Sequence, residues 1–425
     1  FFFFFFFFFK EPETMFDLKR VCCLSIVVAL VFGSVAGQLS STNFRAVLLH
    51  GQPLVQYGIF LQATYGHTAA GYAFNVPFEL QAEVTTASWP AAVAAAAEQY
   101  DMVVFPMLDV PPELRAEVSQ VEADHPDTAF LHFIGVPVDL PNSRYIVPLL
   151  ETSLWSLGYL GAAMSDHVCM IGVPDPNSWP NAAYLGAQAA RPDVRFTYAT
   201  RISDINDGTT SLFEQRQDAV TAKAVDIMVA AGCGVVAYVN GDDLGHKLLR
   251  DAGVYSLGVT MDMSELYGQN VLQSAPIEYA IPFEAALADY EAGVWFDLES
   301  TPRSMLYFAN TLSPYSPVVP LEVRNQVDAA VSALGVGLPG WLNVWCGGEQ
   351  VLEPILPPNV TLTPDGCINP LQAFAMLQSP LLHPNIEFLG LIDIEDQAED
   401  GVSSGVRITL YVLAGVLAVI LLLLF

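Results

Sequence analysis

With 425 residues, 53% of them hydrophobic and 14% charged, the chain can bury a large core and is long enough for roughly two or three domains. Its 45 acidic against 16 basic residues give a formal net charge of −29, which removes the attraction that nucleic acids or anionic lipids would use. No polyanion partner is expected, and the acidity suits a secreted domain kept in solution better than a calcium buffer.

The first nine residues are all phenylalanine and match neither a signal sequence nor a fold element, so 1–14 read as an upstream translated tract and Met15 as the start. Lys19 and Arg20 then precede the apolar stretch 21–32 and the small residues Gly33, Ser34, Ala36 and Gly37. These are the three regions of a secretory signal peptide, here 15–37, with cleavage near Gly37 or Gln38.

Beyond it, apolar runs of strand length alternate with helical stretches. Strands are predicted over 44–49, 78–84, 102–105, 129–134 and 145–149, and helices over 91–99 and 112–123, where Pro112 suits a first-turn position. A second series follows, with strands over 168–173, 195–199, 235–239 and 255–259 and helices over 179–190 and 212–230. Alternation at this pitch predicts βαβ units and parallel sheets. The segments 283–292 and 305–309 return to the first lobe, and a helix is predicted over 321–334. The expected fold class is therefore α/β: two doubly wound parallel-sheet lobes joined by a multi-strand hinge. The two-lobed body occupies 44–334, with lobe one at about 44–149 and 270–310 and lobe two at about 150–269 and 311–334.

From 335 to 407 the alternation fades and proline accumulates, which predicts a disulfide-pinned extension and an acidic stalk. Removal of the signal peptide leaves Cys169, Cys233, Cys346 and Cys367, an even set for an oxidising compartment. Cys346 and Cys367 bracket a proline- and glycine-rich loop and are the first pair expected to bond. Cys169 and Cys233 each open an apolar strand pattern; a second bridge and two buried free thiols both remain open. Asn359, in the sequence Asn359-Val360-Thr361, is a glycosylation acceptor. Residues 408–425 carry no charge and are long enough to cross most of a hydrocarbon layer about 30 Å thick. They read as a C-terminal transmembrane helix or as a signal exchanged for a glycolipid anchor at Ser403, Ser404 and Gly405, so a membrane is an expected partner either way.

Several motifs are weak in context. Gly335, Gly337 and Gly340 spell GxGxxG, yet they follow a helical pattern instead of a strand, so no dinucleotide is expected there. Gly208 and Glu214 have calcium-loop spacing, but Ser203 and Ile205 stand where oxygen ligands should be. The seven histidines never pair at metal-ligand spacing, and no GxSxG, HExxH or P-loop occurs. No cofactor, metal or catalytic residue is assigned, and the chain is not expected to be an enzyme. Open parallel sheets bind ligands beyond the carboxyl ends of their strands. The ligand-binding candidates from that rule are Gln52, Tyr57 and Asp109 in lobe one and Asp175, Trp179, Asn240, Asp242 and Asp262 in lobe two. Trp179 could stack on a planar ring, and the carboxylates could accept from hydroxyls or amines. Loop caps or exposed polar residues are the plain alternative at each position.

The run from Asp127 to Pro174, with Leu140-Pro141-Asn142, Glu151 and the small-residue stretch 158–165, resembles the basic membrane protein family of PnrA-like ABC transporter substrate-binding proteins. The likeness extends through 192–200, 253–262 and 313–331, and so over about 44–334. It implies a type I periplasmic-binding-protein fold closing on a small molecule, often a purine nucleoside. The family's polar contacts are not all present. Its acidic pair falls on Leu54 and Val55, its strand-end aspartate on Ile134 and its lysine on Ile277, while Asp262 matches an acid and Thr260 replaces another. The expectation is an extracellular, membrane-tethered domain that captures or senses a small molecule, nucleoside-like or not. The alternative is an adhesion or receptor-pairing ectodomain whose cleft is vestigial.

Overall fold

Residues 44–392 are described by the computed structural model, apart from 52–68, 107–109, 134–139, 173–177, 202–209, 240–243, 298–303 and a few single or paired positions. The signal peptide, the acidic end of the stalk and the apolar tail expected from the sequence lie outside the described residues. Among the described residues no single helix is long and apolar enough to cross a membrane.

The strands in chain order are β1 (Ala46–Leu49), β2 (Phe78–Gln81), β3 (Met102–Phe105), β4 (Ala129–His132), β5 (Ser143–Leu149), β6 (His167–Gly172), β7 (Arg195–Arg201), β8 (Val235–Tyr238), β9 (Tyr255–Thr260), β10 (Val271–Pro276), β11 (Ser304–Phe308) and β12 (Ile386–Ile392). The α-helices are α1 (Trp89–Ala97), α2 (Arg115–Asp124), α3 (Glu151–Met164), α4 (Ser178–Ala190), α5 (Thr210–Ala230), α6 (Leu244–Asp251), α7 (Ser264–Tyr267), α8 (Ala280–Glu291), α9 (Leu321–Leu334), α10 (Gly337–Val344) and α11 (Glu349–Leu352). Two six-stranded sheets result, in the orders β2-β1-β3-β4-β5-β11 and β12-β7-β6-β8-β9-β10. Every neighbouring pair is parallel.

Parallel sheets need both faces covered, and the residues of β1 make the point. Ala46 and Leu48 enter the main core, whereas Val47 and Leu49 enter a second cluster with Trp89 and Val93 of α1 and Val118 of α2. A strand buried on both faces reads as an unbroken apolar run without alternation, as β1 and β3 do. In the second lobe Cys169, Ile171 and Ala199 pack in the same way against Val220, Ala224 and Met228 of α5. Each fully buried Val or Leu contributes about 1.5–3 kcal/mol.

The chain passes between the sheets after β5, after β10 and after β11, which makes three crossings. Two boundaries differ from the sequence expectation. Lobe one was expected to resume at about 270, but β10 pairs with β9 in the second sheet, so the return begins after Pro276. The polar Gln273 and Ser274 obscure this strand's pattern, and they are bonded to Ser313 of the third crossing, with Gln273 Nε2 to Ser313 O at 3.0 Å and Ser274 N to Ser313 Oγ at 2.8 Å. The 335–407 segment was expected to be an extension and stalk, yet β12 within it pairs with β7 and forms the outer edge of the second sheet. A register shift between Phe388 and Leu391, with Gly390 at φ 94°, breaks the period that would have marked it as a strand.

Both cysteine pairs are disulfides: Cys346 with Cys367, 21 residues apart, and Cys169 with Cys233, 64 residues apart. The second pair meets because β6 and β8 are neighbours, with Cys169 opposite Val236. Closing such loops restricts the unfolded chain by about 3 and 4 kcal/mol in the chain-entropy model. Asn359 is exposed at φ 71° in the loop closed by the first pair.

Candidate functional site

Each sheet is wound about a switch point, β1/β3 in the first and β6/β8 in the second, where successive crossovers leave in opposite directions. Ligand crevices in such sheets open beyond the carboxyl ends of the strands at that point. Of the residues predicted from this rule, Gln52, Tyr57, Asp109, Asp175, Asn240 and Asp242 lie outside the described residues. The other two lie among the described residues. Trp179, in the first turn of α4, is half-buried and packs on the main core. Asp262 Oδ1 accepts from the Ser264 backbone N–H at 3.0 Å and from Ser264 Oγ at 2.7 Å, a local turn just before α7.

The carboxyl end of β9 is more tightly determined than the sequence indicated. Its last residue, Thr260, is fully buried at φ 82°, a conformation costly for a β-branched residue. Its carbonyl accepts from the Ile277 N–H at 3.0 Å, and its Oγ1 has no hydrogen-bond partner. Ile277, where the resembled family carries lysine, is 1% exposed and part of the main core. Behind Thr260, a Cβ on Gly258 would lie 2.4 Å from Ser274 Oγ, and the same hydroxyl accepts from the Met263 N–H at 3.2 Å. Only glycine fits there. Ile134, the other apolar replacement, lies outside the described residues.

On the facing lobe, β4 ends in His132, which is fully buried, with Nε2 3.1 Å from Glu122 Oε1 and its ring 4.7 Å from that of Phe105. Ser143 Oγ donates to the other oxygen of Glu122. The next residue, Phe133, meets Tyr279 edge-on at 5.7 Å and Phe283 at 6.2 Å, and these two rings stack at 5.9 Å. The second crossing, which carries Tyr279, is thereby pinned to the end of β4. Farther along, Arg144 of β5 bonds Asp289 of α8 at 2.6 Å and the Val294 and Trp295 carbonyls at 2.7 Å.

The first crossing is held by a buried acid. Glu151, the first residue of α3, is fully buried and accepts from Ser178 Oγ of α4 and from Trp341 Nε1 of α10, both at 2.9 Å. Burial raises its pKa above the ordinary carboxyl value, and the two donors act in the opposite direction. Sequence reasoning met Glu151 only as a motif letter, because its partners lie 27 and 190 residues away.

One group has the makings of a metal site, since His167, Cys169 and Cys233 are buried with their ligand atoms within 4.8 Å. The two sulfurs are bonded to each other, so neither is a thiolate that could hold an ion.

No family model matches the chain. A protein of Haloferax volcanii, named as an ABC transporter glucose-binding protein (TsgA13), is 25% identical over 232 residues, which are 53% of this chain and 55% of that relative. The chain thus spans about half the length of the curated relative it matches. Among solved structures, a transcriptional activator of the comK gene from Bacillus halodurans superposes with a TM-score of 0.53 at 17% identity, covering 68% of this chain and 97% of the other. An ABC transporter solute-binding protein from Aeropyrum pernix gives 0.49 at 14% identity, covering 75% and 93%. At such identities the likeness speaks for the fold alone. The fold is of the type I periplasmic-binding-protein kind: two parallel-sheet α/β lobes with the chain crossing repeatedly between them.

Proposed function

We propose that the chain is a solute-binding protein that holds a small polar molecule, a sugar or a nucleoside, between its two lobes. The observation that carries the reading is Thr260: a strained, fully buried residue at the carboxyl end of a strand, with a hydroxyl that no protein group meets. Strain and an orphaned hydroxyl each cost about 1–3 kcal/mol and persist where a ligand completes the arrangement. The relative named as glucose-binding supports a polyhydroxylated solute. The site residues proposed beside Thr260 are those at the strand ends: Gln52, Tyr57, Asp109, Asp175, Asn240 and Asp242.

The same reading places the lobes outside the cell, supported by the signal-like 15–37 segment and by two disulfides. Tethering through 408–425 and a glycan on Asn359 belong to this proposal. Thermal melts of the full chain with hexoses, pentoses, purine and pyrimidine nucleosides and amino acids test it. A midpoint rise of several degrees with one class, saturating with concentration, is expected. A flat response to every class removes solute capture.

A second reading, an adhesion or receptor-pairing ectodomain with a vestigial cleft, is favoured by one observation. Ile277, at the position of a family lysine, is packed into the core. That reading expects the flat response in the same melts.

A further inference from the structure

The third crossing, between β11 and α9, roofs an open depression of about 730 Å³ that the cleft reading does not use. Its lining includes Gln273, the third of the six residues of β10 and three residues before that strand's carboxyl end. The crossing is stitched to β10 by the Ser313 N–H to Ser274 O bond at 2.8 Å and by Gln273 Nε2 to Ser313 O at 3.0 Å. Those bonds fix the roof without filling the space beneath it.

The polar groups of the wall include acceptors beside the Ser313 and Ser332 hydroxyls. Gln273 is 3% exposed, and its Oε1 has no hydrogen-bond partner. Tyr315 donates its hydroxyl to Asp328 Oδ1 at 2.7 Å, and burial followed by this bond pushes the phenol up, so it stays a neutral hydroxyl with lone pairs to offer. Leu312, Pro314 and Val331 supply apolar surface. Among the described residues, no lysine or arginine lines the depression. Arg324, the basic residue that acts on Tyr315, is turned to the Val319 and Ser316 carbonyls at 2.8 and 3.1 Å.

We infer that this depression is a second ligand site, built for a small organic ammonium ion on an apolar stem. The ammonium N–H groups would meet Gln273 Oε1 and the Asp328 carboxylate, and the stem would lie on Leu312, Pro314 and Val331. A buried acceptor without a donor, a carboxylate and an apolar wall select a cationic donor over an anion or a hydrocarbon. The volume falls within the range of small-molecule sites, roughly 300–1,000 Å³.

The test is calorimetric titration of the full chain with phenethylammonium chloride, beside 2-phenylethanol and phenylacetate. Saturable binding of the ammonium, about tenfold or more tighter than the alcohol, with phenylacetate silent, is expected. Asp328→Asn should weaken the ammonium by about tenfold, and Val336→Trp should block it by filling the depression. Both positions are exposed, so the melting midpoint should stay unchanged and report an intact fold. Thr260→Val, at the cleft, should leave ammonium binding as it was, which separates this site from the one between the lobes. The inference is overturned by the absence of saturable heat, by equal binding of alcohol and ammonium, or by binding that ignores both pocket variants.

Discussion

At the scale of single residues, the two most informative side chains are a threonine and a glutamate that the interior tolerates at a cost. Thr260→Val keeps the shape and removes an unpartnered hydroxyl, so the unliganded protein should be as stable as the parent or more so, by up to about 1–2 kcal/mol. Affinity for the solute in the cleft should fall about tenfold or more. Paired urea unfolding and ligand titration check it, and a fall in both quantities would make Thr260 a packing residue only. Glu151 carries a pH signature. Its native pKa is raised above the ordinary value of 4.5 by burial, so the unfolded chain gives up this proton first as pH rises. The stability it contributes is fully present below the ordinary value and is lost as pH climbs toward the raised native one. Glu151→Gln stays neutral, so the difference in unfolding free energy between parent and variant should move in the variant's favour from about pH 4 to pH 7. Parallel urea profiles across that range would show that Glu151 does not titrate differently in the two states.

At the scale of elements, the second lobe rests on an unusually close helix pair. A Cβ on Gly158 of α3 would lie 1.9 Å from the Ala183 carbonyl oxygen, and one on Gly186 of α4 would lie 1.9 Å from that of Trp155. Gly158→Ala or Gly186→Ala should each force the helices apart and cost about 1–3 kcal/mol. The double variant should cost less than the sum, because one separation relieves both contacts, and thermal melts of the three proteins decide it. This pairing was half visible in the sequence, which shows the small-residue stretch 158–165 but not the partner that needs it. Most strands and helices were legible for a simpler reason: runs such as Val103-Val104-Phe105 are apolar on both faces. The strands β10 and β12 were not, one carrying polar residues that bond a distant crossing and the other broken by Gly390. At the site, the strand-end rule named eight candidates, of which six lie outside the described residues. The particular roles of Thr260, Tyr279 and Glu151 arise from contacts between segments remote in the chain, which spacing cannot report.

At the scale of the whole molecule, three crossings join lobes that each carry a complete wound sheet. A solute bridging both lobes would hold them closed if they rotate about this joint. Small-angle scattering of the full chain should therefore show a smaller radius of gyration when the solute identified by thermal melts is added, and an unchanged radius would make the molecule a rigid body. The packing of Phe133 against Tyr279 and Phe283 limits where the hinge can bend, because it locks the second crossing to the first lobe.

The outermost position of Ile386–Ile392 in the second sheet also sets an order of events during synthesis. A ribosome has assembled nearly the whole two-lobed body before it makes the segment that covers the free edge of β7. Until then that edge displays unpaired amide and carbonyl groups to every neighbouring nascent chain. Translation halted shortly before residue 386 should yield a product whose β7 edge is open to pairing, and the last strand moves that edge to Ile386–Ile392, where Gly390 interrupts the ladder.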